Sequence, residues 1–351
     1  MNAHELKEDL IDILSAGLVP MIEGSPGIGK SDIIRQVAGK YRLKIIDMRL
    51  SQCDPTDMLG FPTHNGTRMG YAPPEHFPLQ GIDTPPQGYD GWLLFLDEFS
   101  SAPLSVQAAA YKLVLDRQVG THPLHKKVAI VCAGNKSTDN AIVNRMSTAM
   151  QSRLVHLDLE VHVPSWLEWA SEPMPLTAQE IAMGTQPMAR IDHRVTSYIQ
   201  GRPEHLHQFD PNHNDVTFAC PRTWEFASKL IKGKDVTPRT LNMLIGTISA
   251  GVAHEFNAYL TYCADLPKIE QIRANPTVIE IPTEPALLYA ISHMVAAYIT
   301  EQDALPLMAY IRRLPLEFGT TALRSALKRN KELLKVPPVR DWAHEVAKEI
   351  F

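Results

Sequence analysis

The chain is most constrained by eight consecutive residues that match the pattern G-x-x-x-x-G-K-S: Gly24, Ser25, Pro26, Gly27, Ile28, Gly29, Lys30 and Ser31. We call this segment the phosphate loop, because its backbone N–H groups can wrap around a nucleotide phosphate. A Cβ would block that approach, and several positions need positive φ, which explains the glycines. Lys30 is placed to reach the β- and γ-phosphates, and the Ser31 hydroxyl to ligate Mg²⁺. The flanking residues predict a strand over 18–23 and a helix over 32–41, whose N-terminus faces the same anion.

Composition narrows the class of protein. The 351 residues suffice for two or three domains, and 44% hydrophobic with 21% charged residues is typical of a globular protein. The formal net charge of −5 gives no support to general nucleic-acid affinity. Four scattered cysteines fit a reducing compartment. The N-terminal segment lacks the basic start of a signal peptide. No apolar run reaches membrane-spanning length. We therefore expect a cytoplasmic protein.

The pattern of residues 1–160 alternates between strands and helices, which is typical of a parallel α/β sheet. Beyond the loop it predicts strands over 43–48, 92–97, 128–133 and 154–159, and helices over 5–15, 103–117 and 144–151. Two irregular segments, 51–88 and 118–127, interrupt it, the first with a turn predicted at 64–67. After residue 163 the pattern predicts helices over 166–170, 190–200, 223–232, 238–263, 285–299 and 307–313. Gly246 and Gly251 predict a bend or a break in the longest of them.

A second signature is the run Leu93-Leu94-Phe95-Leu96-Asp97-Glu98, four apolar residues followed by two carboxylates. A buried strand that ends in acids places them at the carboxyl edge of the sheet, and we expect this strand to neighbour the phosphate loop. Asp97 would then hold Mg²⁺ and Glu98 would deprotonate an attacking water. Asn135 ends the next apolar strand and could bond both the γ-phosphate and that water. Solvated acids and a turn asparagine are the plainer alternatives.

These motifs resemble those of the AAA+ ATPases, and within them the MoxR-type branch. The resemblance rests on GSPGIGKS at 24–31, LLFLDE at 93–98, CAGN at 132–135, QSRL at 151–154 and CPRTW at 220–224. It implies a P-loop three-layer sandwich over residues 1–160, a helical lid over 161–235 and, here, a longer C-terminal helical extension over 236–351. It also implies ATP and Mg²⁺ as ligands.

The resemblance further implies a hexameric ring with ATP between subunits. A trans-acting arginine of the family matches Arg153, with Arg145 as the second choice, and an arginine that contacts the γ-phosphate in cis matches Arg222. Either could instead be an ordinary surface arginine. Inserted hairpins match residues 55–78 and 118–127 and would face the pore or a partner. The residues chosen as partner contacts are Asn65, Thr67, Arg68, Met69 and Tyr71.

The function expected from these features is ATP hydrolysis that remodels or activates a partner protein, with a von Willebrand factor type A domain as the adaptor class. A nucleic-acid motor or restriction-type translocase on the same core is the alternative, and a slow switch-like subunit of a metal-insertion complex is a third.

The near match to the guanine-reading motif at 135–139 has its aspartate one position late, so it does not indicate GTP. The cluster of His205, His207, Asp210, His213 and Asp215 lacks the spacing of a metal site.

Overall fold

The computed structural model describes residues 1–139, 144, 146–183, 187–212 and 214–350, without the side chains of Asn65 and of residues 347–350. Contacts between residues divide the chain into two compact units. The sheet unit comprises Met1–His162 and Asp210–His213. The helical unit comprises Val163–Phe209 and Asn214–Phe351.

The sheet unit is built on five parallel strands in the order β2-β5-β8-β1-β9. Its elements in chain order are α1 Ala3–Ser15, β1 Pro20–Glu23, α2 Lys30–Lys40, β2 Leu43–Arg49, α3 Pro55–Leu59, β3 Phe61–Asn65, β4 Arg68–Ala72, β5 Gly91–Asp97, α4 Leu104–Leu115, β6 Gln118–Val119, β7 His122–Pro123, β8 Val128–Gly134, α5 Thr148–Gln151 and β9 Val155–Asp158. A parallel sheet places the carboxyl ends of all five strands at one edge. Polar residues that follow different strands can therefore meet there.

Helices cover both faces of this sheet, because successive strand residues point to opposite sides. In β5, Leu93 and Phe95 pack with α1 and α2, whereas Leu94 and Leu96 pack with α4. The six residues before Asp97 are all buried, as expected for a strand that is covered on both sides. The predicted three-layer α/β sandwich is confirmed by this arrangement.

The irregular segments contain two antiparallel hairpins. Strands β3 and β4 pair from Phe61 with Ala72 to Asn65 with Arg68, so the turn lies one residue later than predicted. Strands β6 and β7 form a shorter hairpin, in which Val119 pairs with His122. Both hairpins lie outside the five-stranded sheet. They therefore add to the sandwich without interrupting its hydrogen-bond ladders.

The helical unit contains no strand within the part of the chain that the structure describes, apart from isolated bridges. Its helices are α6 Val163–Ser171, α7 Ala178–Ala182, α8 His193–Gly201, α9 Pro221–Ile231, α10 Pro238–Ile248, α11 Ala250–Cys263, α12 Ile269–Ala274, α13 Pro285–Tyr298, α14 Ala304–Ile311, α15 Leu316–Arg329 and α16 Pro337–Ile350. None of the helices in the described ranges is long and apolar enough to cross a membrane. The predicted helical C-terminal part is confirmed; its division into a lid and an extension stays a prediction.

Two predicted helices differ from the structure. The helix predicted over 144–151 is only the single turn α5, because Ser147 is extended and caps that turn by accepting a hydrogen bond from the N–H of Met150. Arg145 lies outside the described residues. The long helix predicted over 238–263 is broken at Ser249, whose φ is 75°, and not at either glycine. Gly246 and Gly251 are exposed helical positions with open space around them.

A buried histidine joins two helices of the helical unit. His293 of α13 is 6% exposed, and its Nε2 lies 2.6 Å from the side-chain oxygen of Gln200 in α8. Its Nδ1 lies 3.4 Å from the hydroxyl of Thr196, also in α8. Burial lowers the pKa of His293 to about 4, and the nearby His193 adds to this effect. The ring is therefore held neutral, with Nε2 as the donor to Gln200.

This histidine should make the stability of the helical unit depend on pH. Its folded-state pKa of about 4 is below the ordinary 6.5, so its contribution is fully present above pH 6.5 and is lost as the pH falls towards 4. We expect the free energy of unfolding to drop by about 3 kcal/mol across this window through His293 alone. Urea unfolding of wild type and His293→Gln at several pH values measures the difference in slope. The exposed His254, changed to Gln, is the matched control, and equal slopes for all three proteins would contradict the assignment.

Candidate functional site

The phosphate loop connects β1 to α2, and its glycines are required by its shape. Gly27 and Gly29 have φ values of 77° and 98°, in the region that side chains other than glycine rarely adopt. Glycine is required at position 24 for a different reason. A Cβ there would lie 2.8 Å from the carbonyl oxygen of Leu159 and 2.6 Å from the Ile28 side chain. Gly29 is the N-cap of α2, so the first N–H groups of that helix face the loop. The loop is therefore a concave set of backbone donors suited to an anion.

The side chain of Lys30 is held at the mouth of this loop. Its Nζ donates to the carbonyl oxygens of Gly24 and Ser25 at 2.6 and 3.0 Å. It also donates to Oδ1 of Asn135 at 3.1 Å. Lys30 is 8% exposed, so its positive charge is concentrated in a small, largely desolvated space. A buried ammonium of this kind favours a polyanion as its ligand.

Ser31 and Asp97 meet on the other side of the loop. The Ser31 hydroxyl donates to Oδ2 of Asp97 at 2.9 Å, and Oδ1 of Asp97 accepts from the N–H of Glu98 at 2.8 Å. The expectation that the strand of Asp97 neighbours the strand of the loop is wrong, because β8 lies between β1 and β5. The acid still reaches Ser31, since both strands end at the same edge of the sheet. One strand of separation leaves room for Asn135 between them.

Glu98 is held in a constrained position. Its φ and ψ are 56° and 32°, a left-handed conformation that is uncommon for a residue with a side chain. Its Oε2 accepts a hydrogen bond from the hydroxyl of Ser51, which follows β2. The carboxylate thus points towards the end of β2. Backbone strain of this kind occurs at functional sites.

Asn135 follows β8 and links the two sides of the site. Its side chain accepts from Lys30, and its backbone contacts the hydroxyl of Ser100. The next residue, Lys136, turns away and binds Asp158 at the end of β9, with Nζ and Oδ1 2.5 Å apart. This hydrogen bond raises the pKa of Lys136. Asn135 is therefore the residue of this segment that faces Lys30.

Two further predicted site residues are exposed arginines. Arg153 is exposed; it donates to the carbonyl oxygen of Ala149 at 2.7 Å, and its guanidinium carbon lies 5.6 Å from the centre of the Tyr111 ring. Arg222 is an exposed residue of α9 and belongs to the helical unit. Arg145 lies outside the described residues. The roles of all three remain predictions.

Sequence reasoning missed two serines. Ser51 bonds Glu98, and Ser100 bonds the backbone of Asn135. A polar residue just after a strand of a parallel sheet is the signal that could have indicated Ser51. Ser100 gives a weaker signal, namely a hydroxyl two positions after the paired acids, next to a second serine at position 101. Neither signal reveals which partner the hydroxyl meets.

The oxygen atoms at this edge suit a magnesium ion. The Ser31 hydroxyl and the Asp97 carboxylate are hard oxygen ligands, which Mg²⁺ prefers, and it usually takes one or two carboxylates together with substrate phosphates. Within the described ranges no group of three or more His, Cys, Asp or Glu side chains converges as a metal site.

The histidine cluster near residue 205 is partly structural, since His205 is buried and its Nδ1 lies 2.7 Å from the Tyr198 hydroxyl. His213 lies outside the described residues.

The β3–β4 hairpin presents apolar side chains to the surface. Phe61 is 70% exposed and Met69 is 64% exposed, and Tyr71 is also exposed. Thr67 and Arg68 lie exposed at the turn, whereas the side chain of Asn65 is outside the described part. The hairpin residues chosen from the sequence are thus accessible wherever the structure describes them.

Comparison with solved structures finds likenesses at low sequence identity. No protein-family model matches this sequence, and no curated protein matches it. A solved structure of a protein from Cytophaga hutchinsonii assigned as an ATPase is 12% identical, covers 98% of this chain and 88% of its own, and gives a TM-score of 0.31. A RuvB mutant from Thermotoga maritima is 14% identical, covers 94% of this chain and 85% of its own, and gives a TM-score of 0.34. Likenesses this remote leave the function to be argued from the chain's own residues.

Proposed function

We propose that this chain is an ATP hydrolase of the AAA+ type. The observation that carries the proposal is the convergence of Lys30, Ser31, Asp97 and Asn135 around one anion-binding loop. These four residues come from the ends of two strands, β5 and β8, and the start of one helix, α2. A structural role alone does not require a desolvated ammonium that binds an amide oxygen at the mouth of a donor-lined loop, with the adjacent hydroxyl bound to a carboxylate. A magnesium–nucleoside triphosphate satisfies all of these groups at once.

The residues divide into binding and chemical roles. The loop N–H groups and Lys30 bind the β- and γ-phosphates, while Ser31 and Asp97 would hold Mg²⁺. The ion, when bound, neutralises charge that develops on the phosphate oxygens. Asn135 adds a neutral amide close to the γ-phosphate. The near match to a guanine-reading motif gives no support to GTP, since Lys136 is tied to Asp158.

Glu98 is the proposed general base. It accepts a proton from water as the water oxygen attacks the γ-phosphorus, and the bond to the bridging oxygen breaks to leave ADP and inorganic phosphate. A carboxylate has several acceptor sites, so the hydrogen bond from Ser51 to Oε2 can orient Glu98 while the carboxylate also accepts from the water.

Binding and hydrolysis should be separable by mutation. Lys30→Ala removes the desolvated charge and should weaken ATP affinity by about 10- to 100-fold, the loss of one or two charged hydrogen bonds. Glu98→Gln should keep ATP affinity and lower kcat by about 10²–10⁴-fold. Equilibrium binding of ATP and release of phosphate measure the two effects.

Matched controls are available in the same unit. Lys40→Ala changes an exposed lysine at the other end of α2, and Glu75→Gln changes an exposed acid; both should behave as wild type. A wild-type protein that neither binds nor hydrolyses ATP with Mg²⁺ would end the proposal. A fully active Glu98→Gln protein would remove Glu98 from the role of base.

We further propose a ring in which Arg153 acts on the ATP of the neighbouring subunit. Two observations support this: Arg153 is exposed, and its contacts are with Ala149 and Tyr111 instead of with the Lys30 cluster. A guanidinium supplied by a neighbour stabilises the charge on the phosphate in the transition state. The matching position in QSRL gives the same assignment.

Subunit mixing tests this ring. Arg153→Ala should bind ATP normally and hydrolyse it about 10³–10⁵-fold more slowly. Lys30→Ala subunits bind ATP weakly but still carry Arg153, so at an ATP concentration that leaves their own sites largely empty, mixing the two variants should restore some phosphate release. Neither result is expected of a monomer. Full activity of Arg153→Ala alone would contradict the assignment.

We propose that hydrolysis drives a motion that remodels or activates a partner protein. The proposed adaptor for this partner carries a von Willebrand factor type A domain. Exposed Met69 and Tyr71 on the β3–β4 hairpin support a protein contact. The acidic net charge gives no support to a nucleic-acid motor.

The partner contact should depend on both nucleotide and hairpin. The Glu98→Gln protein with ATP should retain a partner that ADP releases, and Met69→Asp should abolish this retention. Leu104→Asp is the control, because Leu104 is equally exposed, at 63%, but lies in α4. Retention that is independent of nucleotide, or stimulation of hydrolysis by DNA or RNA, would contradict the proposed role.

A further inference from the structure

We propose that Ser100 is a positioning residue for hydrolysis, which fixes Asn135 against the segment that carries the two acids. The inference rests on the proposed function and adds a residue that the sequence motifs do not contain. Ser100 touches neither the phosphate loop nor the acids' carboxylates through its hydroxyl. It acts through Asn135.

The hydroxyl of Ser100 binds the backbone of Asn135 on both sides. The N–H of Asn135 donates to Oγ of Ser100 at 3.1 Å, and Oγ donates to the carbonyl oxygen of Asn135 at 3.2 Å. One hydroxyl thus satisfies both main-chain polar groups of a residue at the point where β8 ends. Beyond that point the strand ladder no longer holds the chain. Ser100 holds the backbone of Asn135 just beyond the end of the strand ladder.

The turn that carries Ser100 is held by burial and by hydrogen bonds. Phe99 is fully buried in the core on the α4 side of the sheet, and Ser100 is 5% exposed. The carbonyl oxygens of Ser100 and Ala102 accept from the backbone and side-chain nitrogens of Asn144 at 2.7 and 2.9 Å. The hydroxyl therefore starts from a fixed backbone. A fixed donor and acceptor can set the position of Asn135 to a fraction of an ångström.

Gly134 makes this contact possible. A Cβ at position 134 would lie 2.5 Å from Oγ of Ser100 and 2.9 Å from the end of the Met21 side chain. Both separations are too short for ordinary van der Waals contact. The space next to β8 is thus filled by the serine hydroxyl, and glycine is needed to admit it.

The side chain of Asn135 links its contact with Ser100 to the phosphate site. Oδ1 of Asn135 accepts from Nζ of Lys30, so the covalent frame of Asn135 connects the backbone hydrogen bonds to Ser100 with the side-chain hydrogen bond from the lysine ammonium. If the backbone of Asn135 is released, its amide loses its fixed direction while the loop and Lys30 can still bind phosphates. The loss should therefore fall on kcat more than on ATP affinity.

A double-mutant cycle tests this coupling. Ser100→Ala should lower kcat about 10- to 100-fold, as a small misplacement of a catalytic group does, with ATP affinity within about threefold of wild type. In a protein that already carries Asn135→Ala, the same change at Ser100 should alter kcat less than threefold. A serine that only supports the fold would reduce kcat by the same factor in both backgrounds.

Three further measurements keep the test decisive. Ser101→Ala alters the adjacent serine, whose hydroxyl is not part of the Asn135 contact, and should leave kcat unchanged. If Ser100→Ala fails to fold, Ser100→Cys keeps a similar volume with a much weaker hydrogen bond and should show the same coupling. Wild-type hydrolysis is measured first. Without it the proposed function fails, whereas an active wild type with additive mutations overturns only the role of Ser100.

Discussion

The contact between the Lys30 ammonium and the side-chain oxygen of Asn135 joins residues that are 105 positions apart in sequence. It forms because β1 and β8 are paired neighbours whose carboxyl ends lie at the same edge of the sheet. The charge of Lys30 is largely shielded from water, so every oxygen around it has to be placed by the fold. The three-layer sandwich supplies this placement. Apolar residues on both faces of β5 and β8 fix the strands, and the strand ends fix the polar groups.

The strands that hold the site were predictable, because they are continuous apolar runs between turn residues. The predicted ranges 92–97 and 128–133 fall within a residue of the observed β5 and β8 at each end. The strand order was not predictable. Nothing in the runs themselves indicates that β8 lies between the strands of the loop and of Asp97, and this order decides which side chains meet.

Errors arose where local signals competed with packing. A glycine inside a helix suggested a bend, yet Gly246 and Gly251 lie at exposed helical positions and the break falls at Ser249. The helix predicted over 144–151 includes Ser147, although a serine in extended conformation that caps a turn lies outside the helix, which begins after it. The serines at 51 and 100 escaped notice for a related reason. Their function comes from partners that are distant in sequence, and hydroxyls are common in loops of every kind.

The central position of β8 has a consequence for which sequence changes the protein tolerates. This strand is hydrogen-bonded to β5 on one side and to β1 on the other, with alternate residues facing the two layers of helices. A conservative replacement within it alters one contact. A single-residue deletion would instead exchange the two faces along the rest of the strand and bring Lys136 to the place of Asn135. Variation in length should therefore be confined to the hairpins and excluded from this strand.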